Sequence, residues 1–244
     1  MDVNADWLAR VAEHRNLGIG ALAELADVPE AEVNAVWNGA APSPALLRKL
    51  APAVGLHAAD LFAIAGLPVP DDLVRLDARA SSWIPQLVRS ALSLSPRQRE
   101  LLREFVVALP QEAEVNPVQA LKEYEKYPPG LGGVLVRMLH NRNLNWTASA
   151  KVLYLVAGTG PLSPATVGGI GRGSVEISPR LLAEFAAVFD VPVGLLASLA
   201  AARIAHAALP TPPAAVETAR LIWEFRGLTV EQAQQVLAVA QNGL

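Results

Sequence analysis

An internal repeat is the feature that most constrains what this 244-residue chain can fold into. Residues 14–17 (HRNL) reappear as residues 141–144 (NRNL), and residues 43–47 (SPALL) reappear as residues 178–182 (SPRLL). Residues 94–98 (LSPRQ) have a weaker match in residues 228–232 (LTVEQ). Because the distance along the chain between matched segments stays nearly constant, we infer that a whole unit is duplicated, with a short insertion in the second copy.

The composition favours helices over sheets. Apolar residues make up 52% of the chain, mostly as Ala, Leu and Val, and only 5% of the residues are aromatic, so an all-α protein is expected. The chain has no cysteine, which excludes disulfides, thiolate metal sites and a cysteine nucleophile. The four histidines are isolated from one another, and we expect neither a metal site nor a cofactor.

Helical periodicity and capping residues predict five short helices in each copy. In the first copy they cover residues 6–15, 19–26, 29–37, 43–54 and 58–65. In the second copy they cover residues 131–142, 147–156, 163–172, a helix that begins at 178–179, and 193–202. A pair of helices is predicted after each copy, at 73–93 with 96–109 and at 216–225 with 230–241, and a further short helix is possible at 117–126. Ser95 and Thr229 each begin a capping-box pattern.

The two copies differ in charge, although the net charge of the whole chain is only −3. Residues 1–67 contain four basic and eight acidic side chains, a balance of −4, whereas residues 130–205 contain six basic and three acidic side chains, a balance of +3. The distribution of charge, and not its total, decides which surface a polyanion can approach. The second copy is therefore the better candidate for contact with nucleic acid.

The short second helix, tight turn and glycine-terminated third helix resemble the phage-repressor-like (Xre-type) helix-turn-helix family. The matching stretches are 22–28 (LAELADV), Val33, Asn38-Gly39 and 44–51 (PALLRKLA) in the first copy. In the second copy they are 146–153 (WTASAKVL), 162–167 (LSPATV) and 171–173 (GRG), which look like regulators of high-GC actinobacteria. The resemblance covers about residues 5–67 and 130–202 and implies two lambda-repressor-like bundles, each followed by a helical hairpin.

With these boundaries, four segments are expected. They are a first helix-turn-helix domain at 1–67, a helical hairpin and linker at 68–127, a second helix-turn-helix domain at 128–205, and a C-terminal hairpin at 206–244. Proteins of this family insert one helix, the recognition helix, into the major groove of DNA. The resemblance makes residues 163–172 the recognition helix of the second copy.

The resemblance assigns a set of DNA-facing residues to the second copy. The exposed positions of its recognition helix would be Ser163, Ala165, Thr166, Gly168 and Gly169, and the groups near backbone phosphates would be Trp146, Ser149, Lys151 and Arg172. Glycines inside a helix lower its propensity, so either this helix is short or its glycines let the backbone approach something closely. Packing as part of a core or lid is the alternative role of Trp146, and simple helix capping is the alternative role of Ser163 and Thr166.

The first copy is expected to be a weak or atypical reader of DNA. Glu30 and Glu32 stand where the family faces DNA, and carboxylates beside phosphates are repelled. Its remaining candidate groups for contact with DNA are Asn34, Asn38, Arg48 and Lys49.

The leading interpretation is a transcriptional regulator that binds double-stranded DNA in the cytoplasm, at the nucleoid, mainly through its second copy. The alternative is an adaptor in which the acidic first domain binds a protein partner. An enzyme is not expected, because the sequence brings together no nucleophile, base and orienting group. Neither a membrane span nor a signal peptide is predicted.

The sequence predicts the character of two further helix surfaces. Val230, Ala233, Val236, Leu237 and Ala240 form an apolar stripe on the last helix, which fits either a homodimer interface or packing within the chain. Arg97, Arg99 and Arg103 alternate with glutamates and are expected to form a solvated helix face.

Overall fold

The chain is all-α in its computed structural model, which describes residues 6–74, 76–110, 126–158, 160, 162–200 and 211–242. Fourteen α-helices and two short 3₁₀ helices are present among these residues, and no strand occurs in them. The α-helices are α1 (Trp7–His14), α2 (Ile19–Ala26), α3 (Glu30–Trp37), α4 (Pro44–Ala53), α5 (Ala58–Ile64), α6 (Ile84–Ser93), α7 (Pro96–Ala108), α8 (Leu131–His140), α9 (Trp146–Ala157), α10 (Pro164–Gly171), α11 (Pro179–Phe189), α12 (Val193–Ser198), α13 (Pro213–Phe225) and α14 (Val230–Gln241).

The left-handed backbone positions recur in both copies, which agrees with the repeat in the sequence. Each first helix is followed by an asparagine with a φ of 55°, Asn16 after α1 and Asn143 after α8. The other matched pairs end the second, third and fourth helices of each copy: Asp27 with Gly158, Gly39 with Gly173, and Gly55 with Asp190. Short polar residues and glycine are the types that tolerate this conformation, and the chain changes direction at the same four points in each copy.

The two copies share one hydrophobic core. Helix α1 packs against α12, and α5 packs against α8, so each copy places its first helix on the fifth helix of the other. Leu8 and Val11 from the first copy and Leu195 and Leu196 from the second are completely buried in this core. Burial of apolar side chains between the copies is therefore a main source of stability.

The two helical pairs pack on each other around a second, smaller core. Helices α6 and α7 each contact both α13 and α14. The Arg99 guanidinium on α7 lies 2.5 Å from the Glu217 carboxylate on α13 and also donates to the carbonyls of Ala91 and Leu94. Both capping boxes form as predicted, at Ser95 and at Thr229.

Two predictions for these helical pairs are wrong. Arg99 is only 5% exposed and holds α7 against α13, so it does not belong to a solvated face. The predicted helix at 73–93 is continuous only in its second half. Two 3₁₀ helices (Asp71–Leu73 and Ala78–Ser82) precede α6, and the Asp77 carboxylate caps the second of them through the backbone N–H of Arg79. The possible helix at 117–126 lies outside the described residues, apart from Lys126.

The apolar stripe of α14 is used inside the chain. Ala233, Val236 and Ala240 are buried in the second, smaller core, and Leu237 packs against that core. The interpretation of this stripe as a homodimer interface is therefore wrong. Among the described residues, no helix is both long and apolar enough to cross a membrane.

Candidate nucleic-acid interface

The predicted recognition helix of the second copy is α10, and its first turn is exposed. Ser163 is the N-cap, where its hydroxyl oxygen accepts from the backbone N–H of Thr166 at 3.0 Å. The Ser163 and Thr166 hydroxyl groups lie 2.9 Å apart, so one donates to the other. Ser163 and Ala165 are exposed and Thr166 is half-buried. The capping role of Ser163 is therefore present, and Ser163 and Ala165 have the predicted exposure while Thr166 is only partly exposed.

The rest of α10 is buried, which corrects the prediction that Gly168 and Gly169 are exposed. A Cβ atom on Gly168 would lie 2.7 Å from the Trp146 ring, and one on Gly169 would lie 2.8 Å from the Val175 side chain. Glycine is present here because neighbouring groups approach the helix too closely for any side chain. Of the two explanations of these glycines, close approach is the correct one, and neither residue is available to DNA.

Trp146 covers the back of α10. Its indole Nε1 donates to the hydroxyl of Tyr127 at 2.7 Å, and its ring packs on Gly168. The Arg172 guanidinium lies over the same ring, 5.5 Å from its centroid, in cation–π geometry. Arg172 remains exposed at the C-cap of α10. Trp146 therefore acts as a packing residue that also positions an exposed cation.

The other two predicted phosphate-binding residues of the second copy lie in different environments. Lys151 is exposed on α9. Ser149 is completely buried, and its hydroxyl donates to the carbonyl of Leu144 at 3.2 Å. The prediction that Ser149 faces phosphate is therefore wrong, because a helix of this amphipathic pattern turns every third or fourth residue toward the core.

In the first copy, the matching helix α3 is far more exposed than α10. Only Val33 and Val36 of α3 are buried. Asn34 and Asn38 are both exposed, and the Asn38 side-chain amide donates to the carbonyl oxygen of Asn34 at 2.7 Å. The exposed side chains from α2 to α3 include four acids, Glu24, Asp27, Glu30 and Glu32.

Arg48 and Lys49 are engaged by carboxylates of the first copy. Arg48 forms a 2.7 Å ion pair with Asp72. The Lys49 ammonium donates to the backbone carbonyl of Asp27 at 2.7 Å and lies 3.4 Å from its carboxylate. These pairs neutralise the two cations locally, so the structure does not favour their predicted role at DNA.

A buried polar junction between the copies was not predicted. Asp60 of α5 and Arg142, just after α8, pair at 2.9 Å, and each side chain is 1% exposed. Asn141 donates to the same carboxylate at 3.0 Å, and Arg142 also donates to the carbonyls of Met138 and Phe189. The sequence signal for this junction is the arginine that occurs in both copies of the repeat. Arg15, the counterpart of Arg142, donates to the carbonyl of Val54 at the matching turn.

An aromatic stack lies beside this junction. The rings of His57 and Trp223 are parallel, with centroids 3.5 Å apart, and the Arg226 guanidinium lies 4.0 Å from the Trp223 ring centroid. Burial lowers the pKa of His57 to about 4; Asp60 acts to raise it, and Arg142 and Arg226 lower it further. Burial also lowers the pKa of Arg226 to about 10, with Asp60 opposing the shift.

A cleft of about 520 Å³ opens above this stack. Its walls come from the α4–α5 turn, α7, the α11–α12 turn and α13, and include Glu100, Arg103, Asp190, Arg220 and Glu224. These charges pair with one another: Arg103 with Glu100 and Glu224, and Arg220 with Asp190. The cleft therefore offers few uncompensated charges to a ligand. Among the described residues, no group of three or more metal-binding side chains is present.

Comparison of the chain with protein-family models, curated proteins and solved structures gave no significant match.

Proposed function

We propose that this protein is a DNA-binding regulator of the phage-repressor-like helix-turn-helix type and that its second copy makes the main contact with duplex DNA. The observation that carries the proposal is the exposed first turn of α10 (residues 163–166) combined with Arg172 held at its other end by Trp146. A helix with its side chains is about 10–12 Å across, which matches the width of the major groove. The contact is restricted to the first turn and the C-cap, because the middle of the helix is buried.

The difference in charge between the copies supports the choice of the second. Residues 144–177 contain Lys151 and Arg172 and a single acid, Glu176. The corresponding stretch of the first copy, residues 17–42, contains four acids and no base. Phosphate contacts supply most of the affinity of such proteins for DNA, and acids oppose them. Ser163 and Thr166 can donate hydrogen bonds to phosphate or to base edges.

Selection of bound duplexes from random DNA at a stated salt concentration, followed by mobility-shift titration, tests this function. Lys151→Ala and Arg172→Ala are expected to weaken binding, whereas Glu30→Ala is expected to leave it unchanged or to strengthen it. Lys49→Ala is the matched control, because it removes a cation that the structure pairs with Asp27. Equal loss of affinity in the Glu30 variant would contradict the ranking of the two copies.

A second candidate function is supported by the first copy. Leu25 is 60% exposed on α2, between Glu24 and Asp27. Leu25 is therefore an exposed apolar side chain with acidic residues near it on α2 and on α3. Such a surface complements a basic protein partner with an apolar side chain at its centre. In this adaptor, the first copy recruits a protein while the second binds DNA.

Variants of the full chain separate the two functions, because the shared core makes isolated halves unsuitable. Leu25→Ser and Glu32→Lys are expected to abolish a protein interaction without weakening the binding of DNA. Lys151→Ala is expected to do the reverse. An adaptor role is rejected if a partner isolated with the wild-type chain binds the Leu25 variant equally well.

A further inference from the structure

Contacts between the two copies are reciprocal. The first helix of each copy lies on the fifth helix of the other, as α1 on α12 and α8 on α5. The helical pairs follow the same rule. The first helix of each pair contacts the second helix of the other pair, as α6 on α14 and α13 on α7. The two first helices also contact each other (α6 and α13), as do the two second helices (α7 and α14). An arrangement in which element i meets j and element j meets i is the signature of a two-fold interface.

The surfaces that form this interface are largely buried within one chain. The junction contains the Asp60–Arg142 pair and apolar side chains of both copies. Arg10 of α1 also donates to the carbonyl of Ala200, just after α12, at 3.2 Å. A second chain could not use these surfaces without separating the copies. The interface of a two-fold dimer is therefore already occupied inside the monomer.

The two-fold relation matches the second and third helices of one copy with those of the other. We call these two sets of helix positions the matched faces, and their residues differ in charge. Lys151 and Glu24 are each the sixth residue of the second helix in their copy. Thr166 and Glu32 are each the third residue of the third helix. At the C-cap of that helix, the second copy has Arg172 where the first has Asn38. One face therefore attracts phosphate, and its counterpart repels it.

We propose that one chain reproduces a two-fold dimer within itself and binds duplex DNA as a monomer, at a single half-site that is not repeated. This inference rests on the proposed function and adds its stoichiometry and the symmetry of its target. A dimer of equal readers takes two half-sites about one helical turn apart. This chain places an acidic face where the second reader would stand, so its target is a single half-site.

Two measurements on the full chain test this inference. Sedimentation equilibrium is expected to give the monomer mass, 25.8 kDa, over a wide range of concentrations. A duplex selected from random DNA is expected to bind one chain and to contain no inverted repeat. A free mass of twice this value, two chains per duplex, or a selected inverted repeat would each overturn the proposal. Failure to bind any duplex overturns the proposed function as well, whereas a dimeric free chain that still binds DNA overturns the monomeric stoichiometry alone.

An exchange of residues between the faces provides a gain-of-function test. The triple variant Glu24→Lys, Glu32→Thr and Asn38→Arg gives the first copy the side chains of the second at three exposed positions. It is expected to select an inverted repeat while still binding as one chain per duplex. The matched reverse variant, Lys151→Glu, Thr166→Glu and Arg172→Asn, is expected to lose binding. Selection of an unchanged single half-site by the first variant would contradict the matched geometry of the two faces.

Discussion

The Arg142 guanidinium and the Asp60 carboxylate form a 2.9 Å ion pair that joins the second copy to the first, with each side chain only 1% exposed. A buried ion pair adds little stability compared with an apolar pair of the same size, but loss of one partner leaves an uncompensated charge in the core. Any arrangement of the copies that separates the pair therefore leaves a buried charge uncompensated and is costly.

Removal of one member of this pair is expected to be strongly destabilising. Arg142→Met should lower the free energy of unfolding by about 3–5 kcal/mol, because Asp60 stays buried without its partner. The double variant Arg142→Met with Asp60→Leu should recover most of that loss, and Arg15→Met, at the matching but less buried position, should cost less. Urea denaturation of the four chains measures these differences, and equal losses at Arg15 and Arg142 would contradict the role given to the junction.

Gly168→Ala is expected to destabilise the second copy. The added methyl group would lie 2.7 Å from the Trp146 ring, so the ring or the helix must shift. Such overpacking costs about 1–3 kcal/mol. Gly227→Ala is the control, because a Cβ atom there meets nothing within 4 Å. Thermal denaturation of both variants checks the prediction, which fails if the two melting temperatures agree.

The salt dependence of DNA binding reports how many phosphate contacts each cation makes. Each lost contact is expected to reduce the slope of log K against log salt by about 0.9. Lys151→Ala and Arg172→Ala should each show this reduction, whereas Lys49→Ala should keep the wild-type slope. Affinity measured at several salt concentrations gives the slopes, and an unchanged slope for Arg172→Ala would remove it from the interface.

His57 is expected to make stability depend on pH in the mildly acidic range. Burial holds its pKa at about 4 in the folded chain, against the ordinary value of 6.5. Between these values the unfolded chain binds a proton that the folded chain does not, so the free energy of unfolding decreases as the pH falls from 6.5 to 4. His57→Phe keeps a ring against Trp223 but does not titrate. Its stability should fall less than that of the wild type over this window, and parallel curves would contradict the prediction.

Most of the secondary structure could be predicted from the sequence, because caps and left-handed turn residues mark the helix ends. Ser43, Ser95, Ser163 and Ser178 each cap a helix at the predicted position. The predictions that failed depended on contacts between distant segments. The burial of Gly168 requires Trp146, and the burial of Arg99 requires Glu217 from the other helical pair. Local patterns carry no information about such partners.

The candidate site was only partly predictable for the same reason. Residue type and charge correctly indicated that Ser163 and Ala165 in the first turn of α10 and the cations Lys151 and Arg172 are exposed. The position of Ser149 on the buried side of α9 and the pairing of Arg48 with Asp72 depend on how helices rotate and pack.

The reciprocal packing of the helical pairs also affects how the protein is made in the cell. Leu87 and Leu102 of the early pair are buried against a cluster that contains Leu221 and Val236 of the late pair. The late residues leave the ribosome well after the early ones, and contacts at such long sequence separation form slowly. The earlier apolar surface stays uncovered until then, so the nascent chain passes through a period in which chaperones can bind it and aggregation competes with folding.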